Sequence, residues 1–368
     1  MIAFLGWVPS RTCFGLDVWG GGMAHRRTTL SKFIIEDQRR RTNPDPELTA
    51  LLNDIQTACK FIASAVSRGA LNSAPSDLDA ITNDIFLREN EWGGQLCGMA
   101  SASMDEPYVV PSQYPRGRYL LVFDALDGST NLDVNVTVGT IFSVLRAPDG
   151  VTEPAAEAFL QPGTQQLAAG FALYGPTSMI VITLGAGVHG FTLEPEIGAY
   201  TLTHPYMSVP EETREFAVNP ANERFWEQPV RHYVEECTEG AAGPRGVDFT
   251  MRWVASTVAE VYRILVRGGL FMFPRDTRDP ANSGRLRLLH EANPLAMIVE
   301  QAGGAASTGR ERVLEIDPAG LHQRVPVILG SRSEVERLQR YHDTFDRGES
   351  LAFETPLFNS RSLFRATS

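Results

Sequence analysis

The stretch RYLLVFDAL, Arg118 to Leu126, constrains the fold most: an apolar run broken only by Asp124. A strand with one wet face alternates apolar and polar residues, whereas a continuous run reads as a strand buried within a layered protein. It ends in DGSTN, whose Asp-Gly pair is turn chemistry. NVTVGTIFSVLRA then alternates as a strand should, bounded by Pro148, Asp149 and Gly150. QQLAAGFALYG, SMIVITL and VHGFTLEP follow as strand candidates, so a long antiparallel or mixed sheet is expected.

Helical patterning precedes this sheet. TLSKFIIEDQRR places Leu30, Phe33 and Ile34 at helical spacing, and ELTALLNDIQTACKFIASAV repeats the i, i+3, i+4 rhythm. RGALNSAPSDLDA, small, polar and proline-broken, reads as a loop, after which ITNDIFLREN resumes a helix. Beyond the polar MSVPEETREFAVNPANERF, RHYVEEC and WVASTVAEVYRILVRG read as helices and GGLFMFP as a strand. HEANPLAMIVEQAGG reads as a helix closed by Gly303 and Gly304, and VPVILG as a last strand. The expectation is a layered α/β protein whose halves meet near residues 205 to 215: an N-terminal domain over 23–207 and a C-terminal domain over 208–346. Residues 1–22 read as a disordered extension or as lying upstream of a start at Met23, and 347–368 as a tail. Nothing repeats internally.

Composition removes several classes of function. No apolar run among the 368 residues approaches the roughly 20 that span a bilayer, so no membrane association is expected. A formal charge of −11 disfavours nucleic acid. Cys13, Cys59, Cys97 and Cys237 form no CxxC pair, which points away from zinc and disulfides and fits a cytoplasmic location. The scattered histidines suggest no ligand set.

The chemistry concentrates in FDALDGSTN, Phe123 to Asn131. Asp124 and Asp127 stand at the carboxyl end of a strand, where α/β proteins bind ligands. Two carboxylates and a free carbonyl such as that of Leu126 suit hard Mg²⁺, or Mn²⁺. Gly128, Ser129 and Thr130 offer backbone N–H groups that can cradle a phosphate. For DxxDG alone, an Asp-Gly hairpin beside an incidental acid is the competing reading.

The longer string resembles the DPxDG(T/S)xN signature of the lithium-sensitive, Mg²⁺-dependent phosphatases, with Ala125 in place of proline. NVTVGTIFSVLR, LQPGTQQLAAGFALYG, GRLRLLHEANPLAMIVEQAGG and LHQRVPVILGS further resemble blocks of class I fructose-1,6-bisphosphatase. The resemblance runs from about residue 28 to 340. It implies a layered αβαβα sugar-phosphatase fold with two mixed sheets. The implied activity is hydrolysis of the 1-phosphate of fructose 1,6-bisphosphate, giving fructose 6-phosphate in gluconeogenesis or a reductive pentose phosphate pathway. It also implies metal binding by Asp124, the Leu126 carbonyl, Asp127 and Glu291, and water activation helped by Asp79. Gly128 and Ser129 match the 1-phosphate grip; Asn219 and Arg252 match the 6-phosphate site, and Arg285 replaces a substrate-binding lysine. Arg252 is expected to reach a neighbouring subunit's site in a homo-oligomer, most often a tetramer.

Departures from the family pattern set further expectations. Where the family carries a metal-binding glutamate pair, this chain has Ala102 and Ser103, with Asp105 and Glu106 just beyond. Trp253 and Phe273 replace tyrosines of the 6-phosphate pocket, and Asn222 lies near where a third would fall. In the family's AMP site, Glu47, Leu48, Thr49, Arg118, Tyr119 and Arg146 are kept, but Asp45 and Pro46 replace threonine and glycine, so AMP inhibition is expected to be weak or absent. The alternatives to a fructose-1,6-bisphosphatase are a sedoheptulose 1,7-bisphosphatase and an impaired pseudoenzyme acting as a sugar-phosphate sensor or partner subunit.

Overall fold

A computed structural model describes residues 28–69, 75–278 and 284–349; the extension at 1–22 and the tail from 350 lie outside the described residues. Three helices come first: α1 (Leu30–Arg40), α2 (Pro46–Arg68) and α3 (Pro75–Glu91). Thr29 caps α1 and Asp45 caps α2, each side-chain oxygen accepting from a backbone N–H three residues on. On α2, Leu48, Leu51, Leu52, Ile55, Cys59 and Ile62 form one buried stripe. The stretch expected to be a loop up to Ala80 is already helical from Pro75. Proline is tolerated in a first turn, whose N–H groups lack intrahelical partners, and Asp77 there favours the helix dipole. Asp79 therefore stands on a helix, not on a loop.

Strands β1 (Leu96–Ser101), β2 (Tyr108–Val109), β3 (Tyr119–Asp127) and β4 (Val138–Arg146) follow. After the short helix α4 (Ala156–Phe159) come β5 (Ala168–Tyr174), β6 (Ser178–Thr183), β7 (Val188–Glu194) and β8 (Ala199–Met207). They make one eight-stranded sheet in the order β2-β1-β3-β4-β5-β6-β7-β8, mixed because β1 and β3 run parallel while the other pairs are antiparallel. Every residue of β3 is buried except half-buried Asp124, as the apolar run anticipates.

The second half contains β9 (Glu215–Ala217), α5 (Gln228–Glu239), β10 (Thr250–Met251), α6 (Thr257–Arg267), β11 (Leu270–Phe273), β12 (Leu286–Arg287) and α7 (Asn293–Gln301). β13 (Ala305–Ser307), β14 (Arg324–Val325), β15 (Val327–Gly330) and α8 (Arg332–Asp346) complete it. A second mixed sheet has the order β10-β9-β11-β15-β13, and β12 pairs with β14 alone.

The packing is layered, and alternation along β11 shows how. Phe271 joins Val258, Ile264, Leu295 and Ile298 of α6 and α7, which also cover Phe171 and Val181 of the large sheet. Leu270 and Met272 point the other way, onto Val230 and Tyr233 of α5 and Val335 and Leu338 of α8. The large sheet's far face packs Phe123, Phe142 and Phe191 against Leu51, Ile55 and Phe86 of α2 and α3. The order is helix, sheet, helix, sheet, helix. No described helix is long and apolar enough to cross a membrane, and Cys59, Cys97 and Cys237 are buried free thiols.

Candidate metal centre and substrate cleft

Side chains three residues apart on a regular strand point to opposite faces. On β3 the register to β4 shifts: Asp124 pairs with Ile141 and Asp127 with Gly139, so three steps on one strand oppose two on the other. This bulge returns both carboxylates to the same face. The Leu126 N–H donates to Asp124 Oδ1 at 3.1 Å and pins the bend. Gly128 then takes φ 76°, a left-handed value that costs glycine little, and starts the single turn Ser129–Asn131.

Glu291 arrives from a wide turn, Leu288–Ala292, between β12 and α7. The Arg287 N–H donates to its Oε2 at 2.6 Å, and the Arg287 guanidinium lies 4.0 Å from the same oxygen. One carboxylate oxygen from each of Asp124, Asp127 and Glu291 lies within 4.8 Å of the others. Burial raises all three pKa values, and the neighbouring carboxylates raise those of Asp124 and Glu291 further. The Val258 N–H, 3.1 Å from Asp127 Oδ2, and Thr257 pull Asp127 back only partly. Three crowded oxygen donors short of positive charge are what a hard divalent cation relieves, so this set fits Mg²⁺ or Mn²⁺.

Asp79 of α3 hydrogen-bonds the Ser129 side chain, and burial raises its pKa against that bond. Thr130 is exposed. Ala102 also borders this place: its N–H donates to Phe123 O at 2.9 Å, extending the parallel β1–β3 ladder to the level of Asp124. A buried methyl thus stands where the family pattern has a carboxylate. Ser103, Asp105 and Glu106 are exposed, and none belongs to the acidic cluster.

The cluster opens into a cleft of about 480 Å³, lined by Asp127, Glu291, Thr257 and Phe273 and by Arg278, Arg285 and Arg324. Asp276, also lining it, pairs with Arg278 and lies 3.7 Å from Arg285. Carboxylates at one end and guanidinium groups along the wall suit an anion that also meets a metal. Arg285 is part of this lining, but Asn219 and Arg252 are not. Asn219 Oδ1 accepts from the Ala221 N–H at 3.1 Å, capping a turn, and exposed Arg252 lies 3.9 Å from Glu215. Trp253 stacks on Phe271 and meets Phe273 edge-on, so the two hydroxyl-free aromatics serve packing. Arg278, Arg287 and Arg324 escaped the residue-level reading. A usable signal existed for Arg287, which stands four residues before Glu291 in GRLRLLHE.

The Asp45 region is arranged in the opposite sense. Its carboxylate accepts from the Tyr119 hydroxyl, from Arg118 at 3.0 Å and from the Leu48 N–H at 3.1 Å, with Arg146 at 3.6 Å. Burial would raise its pKa, but these donors prevail and hold it below the usual carboxylate range. Leu48, Arg118, Tyr119 and Arg146, which match the family's AMP site, are thus engaged by the chain's own carboxylate.

Comparison with known proteins agrees with the architecture. Family models described as the N-terminal and C-terminal domains of fructose-1-6-bisphosphatase match residues 28–205 and 209–343. The class 1 fructose-1,6-bisphosphatase of Methylacidiphilum infernorum (isolate V4) is 58% identical over 355 residues, covering 93% of this chain and 99% of the relative. That of Hydrogenophilus thermoluteolus is 55% identical over 351 residues, covering 92% and 97%. Among solved structures, the Leishmania major fructose-1,6-bisphosphatase superposes in its holo form with a TM-score of 0.80 at 36% identity, covering 86% of this chain and 99% of that one. Its apo form gives 0.79 at 37% identity with the same coverage. The chain belongs to the class 1 fructose-1,6-bisphosphatase family.

Proposed function

We propose that the chain hydrolyses the 1-phosphate of fructose 1,6-bisphosphate, releasing fructose 6-phosphate and phosphate. The observation that carries this reading is the cluster of Asp124, Asp127 and Glu291 at one end of an arginine-lined cleft, in a chain more than half identical to curated members of the family. A divalent cation held by these carboxylates, together with the Leu126 carbonyl, would neutralise phosphate charge and ease ionisation of the attacking water. The backbone N–H groups of Gly128, Ser129 and Thr130 bind the 1-phosphate, and Ser129 orients the Asp79 carboxylate, which takes a proton from water. Burial keeps Asp79 more basic than a free aspartate, as a proton acceptor requires. Arg285, with Arg278 and Arg324, binds the remainder of the substrate. Arg252, free of the cleft and pointing to solvent, serves the site of a neighbouring copy in a tetramer.

One observation favours a second reading. The methyl of Ala102 beside Asp124 leaves the cluster without the carboxylate pair of the family, which suits a sensor that binds sugar phosphate and turns it over slowly or not at all. Phosphate release from fructose 1,6-bisphosphate and from sedoheptulose 1,7-bisphosphate, across Mg²⁺ and Mn²⁺ titrations, separates these readings and orders the two substrates. Asp124→Asn is expected to lower turnover by about a thousandfold or more. An Asp124→Asn protein as active as the native one would sink the metal-centred mechanism.

A further inference from the structure

We infer that Glu260 is a positioning residue that locks the turn Trp253–Ser256 between the metal cluster and Arg252. It rests on the reading of Asp124, Asp127 and Glu291 as metal ligands. Glu260 is fully buried on the first turn of α6. One carboxylate oxygen accepts from the Val254 N–H at 2.7 Å; the other accepts from Arg263 Nε at 3.1 Å, with Nη2 at 3.0 Å. Arg263 in turn donates to Glu215 at 2.7 Å, and Glu215 is the carboxylate beside Arg252. A buried anion with donors on both oxygens holds two neighbours at fixed separation.

The turn so held and the first residues of α6 meet the end of the metal strand and the turn after it at three points. Asn131 Nδ2 donates to Ala255 O at 3.2 Å and to Val254 O at 3.4 Å. Gly128 closes on Ser256, whose side chain would lie 3.3 Å from an added Cβ. Val258 N–H and Thr257 hold Asp127, and this approach is possible because Gly139, opposite Asp127 on β4, has no side chain: a Cβ there would lie 2.6 Å from Val258 Cγ2. Ala255 itself sits at φ 60°, a left-handed conformation that crowds an alanine's Cβ against its own carbonyl. Such a residue persists only where its surroundings over-determine it, and Glu260, through Val254, does so from behind.

The test uses the full chain and two readouts, backbone hydrogen exchange and Mn²⁺ binding followed by loss of the free-ion paramagnetic signal. Glu260→Ala is expected to speed exchange about tenfold at Val254–Ser256 and also across Asp127–Leu132, and to weaken Mn²⁺ binding by about 10–100-fold. Glu260→Gln, which keeps a carbonyl for Val254, is expected to do less in both and stands in if the alanine variant does not fold. Glu215→Gln, which keeps a carbonyl oxygen for Arg263 and leaves the Glu260–Val254 bond in place, should leave Mn²⁺ affinity within about twofold. Exchange in α7 serves as the control for global loosening. A loosened Val254–Ser256 turn beside an undisturbed Asp127–Leu132 overturns the inference, as does native Mn²⁺ affinity in Glu260→Ala. A native chain that binds no Mn²⁺ would overturn the metal reading instead, and exchange alone would then decide the role of Glu260.

Discussion

Two carboxylate sites in this protein have opposite deficits. At the end of β3, Asp124, Asp127 and Glu291 crowd one another with Arg287 as the near cation, and their pKa values rise. At the start of α2, Asp45 gathers Arg118, Arg146, Tyr119 and a helix N-terminus, and its pKa falls. The same functional group thus makes one place that attracts a cation and another that has no use for an anion. The difference lies in the neighbours. Burial raises the pKa in both places, and only the second supplies donors enough to reverse it.

The largest expected effect deepens the first deficit. Ala102→Glu with Ser103→Glu adds two carboxylates beside Asp124, and Mn²⁺ affinity and phosphate release should both rise by about a hundredfold. Calorimetry and a phosphate assay read this out; unchanged values in both would mean that three ligands already make a complete centre.

The second prediction concerns pH. A carboxylate whose folded pKa exceeds its unfolded value stabilises the fold below the unfolded pKa, near 4, and that contribution is lost as pH rises through the folded value. Metal-free protein should therefore lose stability from this cluster as pH climbs above about 4. Mg²⁺, which competes with those protons, should raise the melting temperature more at pH 8.5 than at pH 6. Equal shifts at both pH values would contradict the crowding of the three acids.

The smallest effect is at Asp45. Asp45→Ala removes a helix cap and should cost about 1–2 kcal/mol in chemical denaturation. It also releases Tyr119, Arg146 and the Leu48 N–H and leaves Arg118 with Glu47 alone, so AMP should protect the variant against thermal unfolding and leave the native chain unaffected. Low-micromolar AMP inhibition of the native enzyme would show that Asp45 yields its place, and the contrast between the two sites would fail.

How much of this was legible in the sequence depended on how each signal arises. The stripe of α2 and the apolar run of β3 are periodic in apolar residues, and both could be read directly. Helix α8 could not: Arg332–Asp346 is mostly polar, with Val335 and Leu338 its buried apolar contacts. The edge strand β8 likewise presents Thr203, His204, Pro205 and Tyr206 where a buried strand would be apolar. α6 was expected from Trp253 but starts at Thr257, because the turn at Ala255 depends on Glu260 and Asn131, a tertiary cause. Asp124 and Asp127 announced themselves by spacing, whereas Glu291 came only through family likeness, since nothing local ties it to β3. The Asp45 arrangement was half legible: Asp45 in place of a threonine already points to weak AMP inhibition, but the carboxylate's own capture by Arg118 and Tyr119 needed the fold.

The bulge in β3 has a consequence for how such a chain can vary over time. Because three steps on β3 oppose two on β4 between Asp124 and Asp127, the length of the interval and the bulge are tied together: at this length, a strand without the bulge would turn Asp127 away from Asp124. Exchanging Ala125 or Leu126 alters composition and leaves the measure intact. Deleting either leaves the second aspartate two steps from Asp124, on the same face by ordinary alternation and with no bulge, so a shorter motif is compatible only with a regular strand.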